Sequence, residues 1–102
     1  IGIISMDKPL KTWLLSQASY YLEYLQPRKS IAILEALRSM DNKNPDIHRM
    51  LSYAYLQVDR PEESIQAADS FLQYSRPGSD VRAIKWIKGR ALLKKRKAAM
   101  TR

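Results

Sequence analysis

Apolar positions recur along this chain at helical steps, and proline interrupts them. Leu10, Leu14, Ala18, Tyr21 and Leu25 follow one another at steps of four, four, three and four. That is one stripe of an α-helix, and it predicts a helix over 9–25, opened by Pro9. Gln26-Pro27 breaks the stripe. Ile31, Leu34 and Leu37 resume it at steps of three, predicting a second helix over 27–40, with Pro27 suited to its first turn. A tight turn then joins the two as an αα-hairpin. Asp41-Asn42-Lys43-Asn44-Pro45 reads as a loop in which Asn44 caps a third helix and Pro45 begins it. That helix is predicted over 45–58, with Ile47, Leu51, Ala54 and Val58 on one stripe. Asp59 stands three before Glu62, the spacing of a capping box, and a fourth helix is predicted over 60–75. Its Ile65, Ala68, Phe71 and Leu72 are expected to face inward. Arg76-Pro77-Gly78-Ser79 ends it, and a fifth helix is predicted over 80–97.

The first two predicted hairpins match each other at an offset of 34 residues. Ala18, Tyr21, Pro27, Ser30, Ile31, Leu34 and Leu37 are followed 34 residues on by Ser52, Tyr55, Pro61, Ser64, Ile65, Ala68 and Phe71. A 34-residue period with small-x-x-Tyr in one helix and small-x-x-x-apolar in the next is the spacing of the tetratricopeptide (TPR) repeat. The predicted fold class is therefore all-α: a TPR-like array of antiparallel helix hairpins, two repeats plus a C-terminal capping helix. In the fifth helix Gly89-x-x-Leu92 takes the place of the small-x-x-Tyr signature, 37 residues after Ser52 and Tyr55. The small residues Ala18, Ser52 and Gly89 are expected where the two helices of a pair approach closely. Tyr21 and Tyr55 are expected to pack beneath them, with their hydroxyls near the turn.

Composition narrows the class. At 102 residues with 45% hydrophobic content, the chain can bury one small core, which excludes wholesale disorder. The absence of cysteine excludes disulfides, thiolate nucleophiles and thiolate metal sites. No apolar run is long enough to cross a bilayer, so no membrane insertion is expected. Residues 1–8 read as a flexible or non-native leader without a secretory-signal pattern, 9–97 as one domain and 98–102 as a basic tail. The formal charge of +8 belongs to one end: residues 81–102 hold nine of the eighteen Lys and Arg and no acid.

No Gly-rich loop, nucleophile motif or metal-ligand spacing is present. The reading is accordingly a non-enzyme with no cofactor and no metal. His48, the single histidine, reads as a surface helix residue. Stacked helix pairs of this kind hold other polypeptides on a concave face. Counted from the small-residue position, the groove is expected to be lined by Leu15, Ser19 and Leu22 in the first repeat. Arg49, Tyr53 and Leu56 follow in the second, and Trp86, Arg90 and Leu93 in the third. The expected occupant is an amphipathic helix of a protein client. Tyr20 and Tyr24, one turn apart, read as helix packing, with a second client contact or a dimer surface as the alternative. The basic run Lys94-Lys95-Arg96-Lys97, with Lys85, Lys88 and Arg90 before it, reads as a solvated helix end or a contact for an acidic partner. Nucleic-acid binding through it is the weaker alternative, because no aromatic residue interleaves the run and no nucleic-acid motif accompanies it.

Over about residues 12–93 the chain also resembles the small TPR-type chaperones of bacterial type III secretion systems, in particular the YscY type, with the YscG type as a competitor. The resemblance rests on Leu14-Leu15, the helix Ile31-Ala32-Ile33-Leu34-Glu35-Ala36-Leu37, the Asn44-Pro45 turn and the segment from Trp86 to Ala91. It implies a chaperone in the bacterial cytoplasm that keeps a small exported component of the secretion machine soluble. A second small chaperone is implied for the YscG type. A generic TPR scaffold in a signalling or assembly complex is the alternative.

Overall fold

The computed structural model describes residues 8–101. Its elements are α1 (Lys8–Glu23), α2 (Pro27–Met40), α3 (Pro45–Gln57), α4 (Pro61–Tyr74) and α5 (Arg82–Met100). No strand occurs among the described residues. The leader expected over 1–8 and the end of the expected tail, Arg102, lie outside them, except for Lys8, which begins α1.

The chain leaves α1 and α3 by the same turn. Leu25 and Asp59, 34 residues apart, adopt φ of 60° and 62°. The next amide, of Gln26 or Arg60, donates back to the carbonyl of Tyr21 or Tyr55, at 2.7 and 2.9 Å. The amides of Leu25 and Asp59 themselves donate to Leu22 and Leu56. This pair of bonds closes a helix by the Schellman pattern, with a left-handed residue just past its end. Pro27 and Pro61 then start the second helix of each pair, where a missing N–H costs nothing. Asp59 is therefore a turn residue and not the cap of α4. The capping position falls on Arg60, whose side chain makes no cap bond and pairs with Glu63 instead. Asn44 does cap α3, its side chain accepting from the Asp46 amide at 3.0 Å.

The pairs are antiparallel, because contacts link the start of one helix to the end of the other. Ser30 Oγ, early in α2, donates to the Ala18 carbonyl late in α1 at 2.8 Å. Lys11, early in α1, reaches Asp41 beyond α2 at 2.8 Å, and this contact holds the Asp41 carboxyl below the usual carboxylate range. In the second pair Ser64 Oγ donates to the Ser52 carbonyl at 2.7 Å. Both serines are fully buried. A hydroxyl at that place satisfies itself on a helix carbonyl and leaves no bulk between the helices, so the two backbones close up.

Two apolar clusters share α3. The first joins Ala18, Ile31, Leu34, Leu37, Ile47, Leu51, Ala54 and Tyr55. The second joins Leu56 of α3 with Ala68 and Phe71 of α4 and with Ile84, Ile87 and Ala91 of α5. Expected inward positions near the ends of stripes are exposed instead: Leu10 by 46%, Leu25 by 78% and Leu72 by 38%. Leu25 is carried out by its turn, and no element covers Leu10 among the described residues.

The fifth helix corrects two expectations. It runs on to Met100, beyond the expected end near 97. Gly89 and Leu92 are exposed rather than packed, and no atom lies within 4 Å of where a Gly89 Cβ would be. The step of 37 holds on the opposite face, where Ile84, Ile87 and Ala91 follow Ile47, Met50 and Ala54 and pack on the preceding helices as those do. Gly89 belongs to the half of α5 that no helix covers among the described residues.

Candidate functional site

The first, third and fifth helices share one side of the molecule, and between them lies an open groove of about 500 Å³. From α1 and its turn come Ser19, Leu22, Glu23 and Leu25. From α3 come Arg49, Met50 and Tyr53, and from α5 Ala83 and Ile87. The floor is apolar because these side chains sit at the edges of the two cores. Tyr53 stands at the centre with 40% of its surface exposed, and Arg49 sits at the rim, 3.3 Å from Asp46. A surface with an aromatic anchor, apolar neighbours and a polar rim suits the apolar face of a peptide helix.

Four of the nine expected groove residues line it: Ser19, Leu22, Arg49 and Tyr53. Leu56 does not. It is only 7% exposed and belongs to the second core, because four residues past Ser52 the helix has turned that side chain under α4 and α5. Leu15 is half-buried against the first core. Trp86, Arg90 and Leu93 are exposed on α5 and outside the groove, the Arg90 guanidinium lying 6.0 Å from the centre of the Trp86 ring. The groove residues of α5 that sequence reasoning missed were within its reach: a strict step of 34 from Arg49 and Tyr53 lands on Ala83 and Ile87. The buried face of α5 follows the 37-residue step and its groove face the 34-residue step. A three-residue shift falls about 60° short of a full turn, so both faces stay near register.

Comparison with family models, with curated proteins and with solved structures finds no match. The structure also shows what kind of residue carries the sequence resemblance. Ile31, Leu34 and Leu37 are core, Leu14 and Leu15 pack against it, and Asn44-Pro45 is a helix cap. These positions specify packing and leave the occupant of the groove open.

Behind the groove the molecule is polar. Tyr55 Oη donates to Glu35 Oε2 at 2.5 Å, and the Arg60 guanidinium lies 4.8 Å from the centre of the Tyr55 ring. Burial, and then the bond to the Glu35 carboxylate, push the Tyr55 phenol up to about 12. Its hydroxyl thus ties α3 to α2 rather than to the turn. His48 is buried, against expectation. Its Nε2–H donates to the Asn42 carbonyl at 2.6 Å and its ring stacks on Tyr74. It fastens the 41–44 loop. Among the described residues no cluster of three or more His, Asp or Glu is placed to hold a metal ion.

The basic run divides. Lys94 Nζ donates to the Leu56 carbonyl at 3.2 Å and lies 3.7 Å from Asp59, while Lys95 lies 3.6 Å from Glu62. Arg96 and Lys97 are exposed, with no ion pair among the described residues. No helix among the described residues is long and apolar enough to cross a membrane.

Proposed function

We propose that this chain is a TPR-type protein-binding module that holds an amphipathic helix of a client in the groove between α1, α3 and α5. The observation that carries this reading is the exposed Tyr53 at the centre of an apolar groove, with Leu22 and Ile87 on either side. The 34-residue step supports the repeat type, since it recurs in the turns and in the serine hydrogen bonds as well as in the apolar pattern. Following the sequence resemblance, the finer proposal is a type III secretion chaperone, YscY-like or YscG-like, acting in the bacterial cytoplasm. Its client would be a small exported component of the secretion apparatus.

The test is co-expression with candidate clients, followed by pull-down and size-exclusion chromatography. Leu22→Ala with Tyr53→Ala is expected to abolish capture while circular dichroism shows the helical content intact. Capture unchanged by that double substitution would overturn the groove as the binding site. A client that is soluble and stable alone would point to a scaffold and away from a chaperone.

A further inference from the structure

The outward half of α5 repeats a surface that another helix covers elsewhere in the same molecule. Gly89, Leu92 and Leu93 stand 37 residues after Ser52, Tyr55 and Leu56. On α3 those three are at most 7% exposed, because α4 lies across them and its Ser64 hydroxyl bonds the Ser52 carbonyl. On α5 nothing covers the same register. Leu92 is 48% exposed, Leu93 39% and the neighbouring Trp86 59%. Gly89 leaves open space where a close helix crossing needs it.

Charge says what fits there. The three lysines of α5 nearest its buried side are engaged, Lys88 with Asp69, Lys94 with Asp59 and Lys95 with Glu62. Lys85 and Arg96 border the apolar stripe on one side and Arg90 and Lys97 on the other. None of these four has an ion pair among the described residues, and residues 81–102 contain no acid. Four unpaired cations flanking an uncovered apolar stripe are complementary to a helix with an apolar face and acidic flanks. The acids of α4 already play that part on the inner side of α5.

We propose that the outward face of α5 docks an acidic amphipathic helix of a partner polypeptide, laid across Gly89 as α4 is laid across Ser52. This surface is separate from the groove at Tyr53, so two helical segments can be held at once.

A stapled, fluorescent peptide with the 14-residue sequence of α4 (Pro61–Tyr74) serves as the probe, with the staple on its outer side. Saturable binding by anisotropy is expected, with NMR amide shifts concentrated in α5 from Lys85 to Met100. Gly89→Leu and Leu93→Glu are each expected to weaken binding about tenfold or more, and exchanging the peptide's acids for lysine by a similar factor. Tyr53→Ala, which reports on the groove, is expected to leave this binding unchanged. The proposal is overturned if the shifts centre on Tyr53 or on α3, or if the lysine peptide binds as well as the acidic one. It is also overturned if no binding occurs while vesicles of anionic phosphatidylglycerol bind in a Leu93-dependent way. Self-association of the free chain that Leu93→Glu abolishes would assign the face to a second copy and overturn it too.

Discussion

Ser30 and Ser64 show how one side chain sets the closeness of two helices. Each is fully buried and bonded to a carbonyl of the facing helix, and each bond is within 0.1 Å of the other in length. Ser30→Ala and Ser64→Ala remove one buried hydrogen bond each while the acceptor carbonyl keeps its own helix. Each is expected to cost about 0.5–1.5 kcal/mol in urea unfolding, and by similar amounts. Clearly unequal losses would show that the two hairpins are not equivalent. Tyr55 is the second residue with a readable energetic role. Its folded-state phenol titrates at about 12, above the ordinary value near 10. A raised value means the neutral phenol is favoured by the fold. Its contribution is complete below about pH 10 and is lost as the pH rises from about 10 to 12. Tyr55→Phe is therefore expected to destabilise the protein at neutral pH and to flatten its loss of stability across that alkaline window, followed by thermal melts.

At the scale of elements, the turn after α1 and α3 carries a cost that the sequence accepts twice. A residue other than glycine in the left-handed region is strained by roughly 1–2 kcal/mol, less for Asp, whose short side chain suits it. Leu25 is also 78% exposed and so gains little from burial. Leu25→Gly is expected to raise stability by about 0.5–1 kcal/mol and Asp59→Gly by less, measured as a shift in the denaturation midpoint. A loss at Leu25 would mean that its contact with the groove floor outweighs the strain. The fifth helix is the element with two apolar halves. Ile84, Ile87 and Ala91 meet α4, and Trp86, Leu92 and Leu93 meet solvent.

For the whole molecule, the difference between core and surface decides which substitutions report on binding. Leu56→Ala opens the second core and is expected to cost about 2–4 kcal/mol, whereas Tyr53→Ala is expected to stay within about 1 kcal/mol. A melt of the two variants separates them, and only Tyr53 is then a clean probe of the groove. The basic end behaves in two parts. Arg96→Gln with Lys97→Gln is expected to leave the melting temperature unchanged. Lys94→Gln is expected to lower stability by up to about 1 kcal/mol, and less at high salt, since its ammonium bonds the end of α3.

Helix positions and turn places were determined by the sequence alone. Proline at 9, 27, 45, 61 and 77 and the three-four apolar steps act within a turn or two of chain, so they need no tertiary partner to be read. The groove was half legible. Ser19, Leu22, Arg49 and Tyr53 follow from the repeat, because in both hairpins the same helix faces meet the same neighbours. Leu56, His48 and Gly89 were not legible. Leu56 and His48 lie where a helix face curves under a neighbour, and periodicity gives the angle of a side chain but not what stands opposite it. On α5 the apolar residues surround the helix, so the pattern by itself favours no face. Only the position of α4, which takes Ile84, Ile87 and Ala91 into the core, decided that Gly89, Leu92 and Leu93 would be left to water.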